Sequence, residues 1–186
     1  MNDRIALVIA FMLVMSGISR GAERPATRPA DYVIGPMHVQ TIPEMTYVYA
    51  GTRTTLAEIA QVVGKILPKL EATVAEMKSR PKGPVLFVYH GASPDPAVPF
   101  DVELGFPFAE DVKAPGDFNV KKLKEFRCAT ILLTGTMQHL GEAYMELFGQ
   151  LAQAGYQPTG ETREVYLYWD GPESANNVIQ IQAGIR

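Results

Sequence analysis

The feature that most constrains the fold of this chain is an internal repeat, because a repeated stretch has to be built twice as the same unit. Val39 to Glu58 lies over Leu123 to Glu142 at a constant offset of 84, with no gap. Thr46 then meets Thr130, and Tyr47-Val48-Tyr49 meets Ile131-Leu132-Leu133. Gly51-Thr52 meets Gly135-Thr136, Leu56 meets Leu140, and Glu58 meets Glu142. Each copy reads as an apolar strand, a Gly-Thr turn where glycine permits a sharp reversal, and a helix.

The helices are read from periodicity. Leu56, Ile59, Ala60, Val63, Ile66, Leu67, Leu70, Val74 and Met77 recur at helical spacing in the first. Thr55 with Glu58 has the spacing of a capping box, and Pro68 predicts a kink or a restart. Leu140, Tyr144, Leu147, Phe148 and Leu151 form the stripe of the second, with Gly155 as its stop. Both stripes, aromatic members included, are expected to pack on a sheet. Two strands follow each helix: 85–90 and 100–108, then 163–169 and 177–185. The expected fold is α+β, with duplicated β-α-β-β halves (about 37–108 and 120–186) related by a pseudo-two-fold axis. Its antiparallel sheet carries the helices on one face and a ligand groove on the other.

Before the repeat, Arg4 precedes an apolar run from Ile5 to Met15, then Ser16, Gly17, Ser19, Gly21 and Ala22. Residues 1–22 therefore read as a secretory signal, cut after Ala22 or Ser19, or else kept as an anchor. Export to the periplasm or the medium is expected, with membrane contact only through an uncleaved signal. Pro25, Pro29 and Pro36 make 23–36 a tether. The single Cys128, among Ala129 to Leu133, excludes an internal disulfide and is expected to be buried. The net charge is −3 and no basic block stands out, so no nucleic-acid partner is expected. His38, His90 and His139 are scattered, so neither metal nor cofactor is expected. His90 ends its strand beside the connector and is read as solvated, with a place at the groove rim as the alternative. Nucleophile elbow, phosphate loop and dinucleotide fingerprint are all missing from the sequence.

Strand alternation selects the candidate site. Glu164, Tyr166 and Tyr168 share one face of their strand; Val165, Leu167 and Trp169 share the other. In the matching strand of the first half, Phe87 and Tyr89 take the places of Tyr166 and Tyr168. Tyr49 adds a ring, and Glu103 and Gln180 are possible polar groups facing the groove. Rings around one carboxylate suit a flat, hydrophobic or cationic small molecule, by stacking, cation–π contact and charge complement. The bland alternatives are strand propensity for the rings, and for Glu164 an exposed strand start paired with Arg163 or Lys82.

Tyr47-Val48-Tyr49-Ala50-Gly51, Leu133-Thr134-Gly135 with Tyr144 beyond it, and Glu164-Val165-Tyr166-Leu167 together resemble the GyrI-like family, the effector-binding domain of AraC-type and BmrR-type regulators. The resemblance covers about residues 37–185. It implies the duplicated fold, a central groove for varied hydrophobic or cationic molecules, and a glutamate that matters, matched here by Glu164. Ile179-Gln180-Ile181 departs from it, with an amide where many relatives carry a carboxylate. No helix-turn-helix precedes the domain, so the chain is not expected to bind DNA itself. The leading expectation is an exported binding protein without turnover. Two alternatives stay open: a hydrolase of cyclopropane-bearing or similar electrophilic toxins, with Glu164 and a hydroxyl such as that of Tyr166 as the acting groups, and a module that binds a peptide or protein.

Overall fold

The computed structural model describes residues 32–113 and 115–186; the expected signal at 1–22 and most of the expected tether lie outside them. The chain runs β1 (Tyr32–Ile34), β2 (His38–Ile42), β3 (Met45–Thr54), α1 (Ile59–Ala75), β4 (Leu86–His90), β5 (Phe100–Phe108), β6 (Asn119–Leu123) and β7 (Phe126–Gly135). A short 3-10 turn (Met137–His139), α2 (Leu140–Gln153), β8 (Pro158–Tyr168) and β9 (Val178–Ile185) complete it. The fold is α+β. All strands join one antiparallel sheet in the order β1-β7-β9-β8-β4-β5-β3-β6, with β2 also on β7. β1 is a correction to the tether, since Tyr32–Ile34 pair with Leu133–Gly135 and belong to the sheet.

The two short connections shape this sheet. Only Pro43 and Glu44 separate β2 from β3, and only Lys124 and Glu125 separate β6 from β7. Yet β3 and β7 lie five places apart in the order. Five strand spacings measure roughly 24 Å in a flat sheet, while the three Cα steps from Ile42 to Met45 reach at most about 11 Å. The sheet therefore curls until its two sides meet at this end. The register confirms it, because Ile42↔Phe126 and Met45↔Leu123 continue one unbroken antiparallel ribbon around the bend. Curling buries part of the face that carries no helix: Tyr47, Leu86, Val88 and Leu123 form a small core there.

The main core lies on the other face. α1 packs on β3 and β5, and α2 packs on β7 and β9. α1 buries Ile59, Ala60, Val63, Leu67, Leu70 and Val74; α2 buries Leu140, Ala143, Leu147 and Leu151. α1 runs unbroken through Pro68, so no restart occurs there. Thr55 and Glu58 do not cap it either: the Thr55 hydroxyl donates to the Glu58 carboxylate, and Glu58 itself is the first flanking residue. Gly51 lies inside β3 rather than in a turn, and of the two paired glycines only Gly135, at φ 143°, uses the freedom expected of it. The offset of 84 does not lay matching faces of the sheet over each other. It lays Tyr47, on the helix-free face, over Ile131, which packs under the helices.

Candidate functional site

β4 and β8 pair at the centre of the sheet, with Phe87 opposite Glu164 and Tyr89 opposite Thr162. The helices cover the strands on either side, so the central pair lies beneath the gap between them. A cavity of about 690 Å³ opens there, within the range of small-molecule sites. Leu56 bounds it from the approach to α1. Ala92, Ser93 and Pro94 form a wall after β4, and Tyr144, Met145 and Phe148 form the wall on α2. Tyr89, Thr162 and Glu164 make its floor.

This corrects the expected side of the sheet. Glu164 and Tyr166 point toward the helices, and Val165 faces away from them. Alternation fixes which residues share a face, but β8 has apolar residues on both, so it does not fix which face the helices cover. The grouping of Tyr168 with Glu164 and Tyr166 is corrected too. A bulge between Tyr166 and Tyr168 pairs Tyr168 with Val178 and turns it to the helix-free side, where it is 53% exposed.

Glu164 is buried, and three tyrosine hydroxyls donate to its carboxylate. Tyr166 and Tyr89 reach Oε2 at 2.7 and 2.9 Å, and Tyr144 reaches Oε1 at 2.8 Å. Among the described residues it has no cationic partner. The exposed-strand reading and its pairing with Arg163 do not hold: Arg163 points to the opposite face and takes Glu161. Burial raises the carboxyl pKa above the usual range, and the three hydroxyls pull back against it. The phenols of Tyr89, Tyr144 and Tyr166 are raised well above 10, by burial first and then by the Glu164 charge.

Phe87 supports from beneath, its ring centroid 4.9 Å from that of Tyr166, and does not line the cavity. The other expected site residues lie on the helix-free face. Tyr49 stacks on Tyr47 at 5.3 Å and lies under the Lys121 ammonium. Glu103 takes Lys121 at 2.6 Å. Gln180 accepts from Gln182 at 2.7 Å, across the sheet from the cavity. Tyr144 and Phe148 are cavity-lining residues that the helical stripe concealed. They line the cavity rather than the sheet contact, and their i,i+4 aromatic pairing, set off from the Leu140-Leu147-Leu151 line, is the signal in the sequence. Cys128 is buried and its thiol is pushed up to about 11, so it is not a nucleophile at neutral pH.

The sequence pattern of the GyrI-like small molecule binding domain matches residues 36–185. No functionally curated protein matches. Among solved structures, the EcmrR C-terminal domain is similar at 18% identity and TM-score 0.67, covering 81% of this chain and 97% of that one. EcmrR in its DNA complex matches at 20% identity and TM-score 0.68, with 83% of this chain covered; the match spans only 57% of that longer chain. SAV2435 bound to tetraphenylphosphonium matches at 11% identity and TM-score 0.61, covering 81% and 94%. A match over this much of the sequence, with the expected α+β sheet beneath it, settles the family: the chain belongs to the GyrI-like small molecule binding domains.

Proposed function

We propose that the chain binds a hydrophobic cation in the cavity between α1 and α2 and holds it without turnover. The observation that carries this is Glu164, a buried carboxylate facing an apolar cavity with hydroxyl donors but, among the described residues, no cation. An uncompensated buried charge is costly, and a bound cation offsets that cost. The Tyr89 and Tyr144 rings beside it add cation–π contact. The similarity to SAV2435, which was seen with tetraphenylphosphonium, supports the same ligand class here. The leader of Arg4 and Ile5–Met15 supports action outside the cytoplasm. The order strand–strand–helix–strand–strand, met twice, supports a pseudo-two-fold duplication, with β2 of one half lent to β7 and β6 of the other lent to β3.

The test is titration of tetraphenylphosphonium against triphenylphosphine oxide, a neutral analogue, followed through the fluorescence of Trp169, the one tryptophan of the chain. Its ring lies 5.6 Å from Tyr166. Glu164→Gln should weaken the cation at least about tenfold, ~1.4 kcal/mol, and leave the oxide nearly unchanged. Equal losses for both would remove the charge from the account. The ligand should be recovered at unchanged mass after long incubation. With a strained electrophile as ligand, a gain of one water would replace binding by hydrolysis.

A further inference from the structure

We propose that His90 is a proton-operated latch that holds the β4–β5 wall of the cavity in place. Its imidazole lies between carboxylates from two neighbouring strands. Nε2 is 3.6 Å from Glu103 Oε1 on β5, and Nδ1 is 3.9 Å from Glu161 Oε2 on β8. A neutral imidazole carries one N–H and would turn a lone pair toward the other carboxylate. Only the imidazolium offers a proton to both.

The surrounding charges leave room for that proton. Lys121 on β6 takes Glu103 Oε1 at 2.6 Å, while Glu103 Oε2 is buried with no partner. Arg163 on β8 takes Glu161 Oε1 at 2.7 Å. Asp101, opposite His90 on β5, is held by Arg53 of β3 at 3.2 Å. With His90 protonated, the two carboxylates nearest the ring are bridged through it, and the strands β5, β4 and β8 are tied at one end.

That end is where the cavity wall begins. Gly91 follows at φ 68°, its N–H donating to Gly160 O at 2.8 Å, and Ala92, Ser93 and Pro94 line the cavity next. On the β4 side the loop leaves the sheet through this backbone bond and the ion pairs of His90; further along, its Pro96 carbonyl accepts from Ala57 N–H at 3.3 Å. Glu103 raises the His90 pKa most, burial opposes it, and Glu161 adds to the rise. A raised folded pKa means that the contribution is complete below the ordinary 6.5 and is lost as pH rises through the folded value. The side chain is 38% exposed, so the ring exchanges its proton with solvent without opening the fold.

Amide hydrogen exchange of residues 91–99, corrected for intrinsic rates, tests the latch without any ligand. In the wild type, protection should fall about fivefold between pH 6 and pH 8. In His90→Gln it should be low at both pH values. Equal protection at both pH values in the wild type, or the same fall in the variant, would overturn the latch. Where the binding reading also holds, tetraphenylphosphonium should bind the wild type about fivefold tighter than His90→Gln at pH 6 and equally at pH 8. A wild type that binds none at any pH refutes the binding reading alone, and the exchange result still decides the latch.

Discussion

At the scale of the residue, Glu164 places a carboxyl group almost wholly out of solvent, and its stability effect follows from that. Its folded pKa is raised, so the folded state holds the proton more tightly than the unfolded one. The fold is therefore most favoured below the unfolded value and loses stability as pH rises through the folded value. Glu164→Gln, with no charge to bury, should melt higher than the wild type at pH 8 and show no advantage at pH 4; thermal melts at both pH values check this, and an equal difference at both would contradict it. Tyr166→Phe removes the 2.7 Å donor and should cost about 1–3 kcal/mol at pH 8 and less at pH 4, because the bond strengthens as the acceptor loses its proton, measured by urea denaturation. Glu164, Tyr166 and Tyr89 were legible as a group because a strand with period two places side chains on a face by arithmetic. Tyr144 was not, because a helix presents several faces and its leucine stripe accounts for only one of them.

At the scale of the element, the strands were read more securely in their membership than in their direction. β5 and β9 begin and end within a residue of the expected spans, since alternating apolar residues mark a strand wherever it packs. Which side of β8 the helices cover depends on a hydrophobic set that both faces possess, and the second face is apolar because the sheet curls over Tyr47, Leu86 and Val88. The close pairing of β3 with β5 makes this curl testable. A Cβ on Gly105 would stand 2.3 Å from the Val48 carbonyl oxygen and 2.6 Å from the ring of Tyr47, whose hydroxyl donates to Leu86 O at 2.7 Å. Gly105→Ala should destabilise by about 1–3 kcal/mol by overpacking, with the ring displaced from its bond. Gly149→Ala, with nothing within 4 Å of the new methyl on the outer side of α2, provides the comparison and should not destabilise. Equal costs at the two sites in urea denaturation would mean that the helix-free face is looser than described.

At the scale of the whole molecule, the two short bends decide how the halves depend on each other. Pro43-Glu44 and Lys124-Glu125 carry β2 and β6 each into pairing with the opposite half, and no local signal in the sequence announces a strand that pairs far from its neighbours in the chain. The cavity draws on both halves as well: Leu56, Tyr89 and the 92–94 wall come from the first, and Tyr144, Met145, Phe148, Thr162 and Glu164 from the second. A ligand seated there touches both, so it should stabilise one cooperative unit rather than half of one. At a free concentration of a hundred times Kd the linkage adds about 2.7 kcal/mol. For a domain of this size that corresponds to a rise in Tm of roughly 5–11 °C. Calorimetry with tetraphenylphosphonium should therefore show a single transition that moves by this amount as a whole, and that moves at most about half as far in Glu164→Gln at the same ligand concentration. Two transitions, of which the ligand shifts only one, would mean that the halves fold independently and that the cavity belongs to one of them.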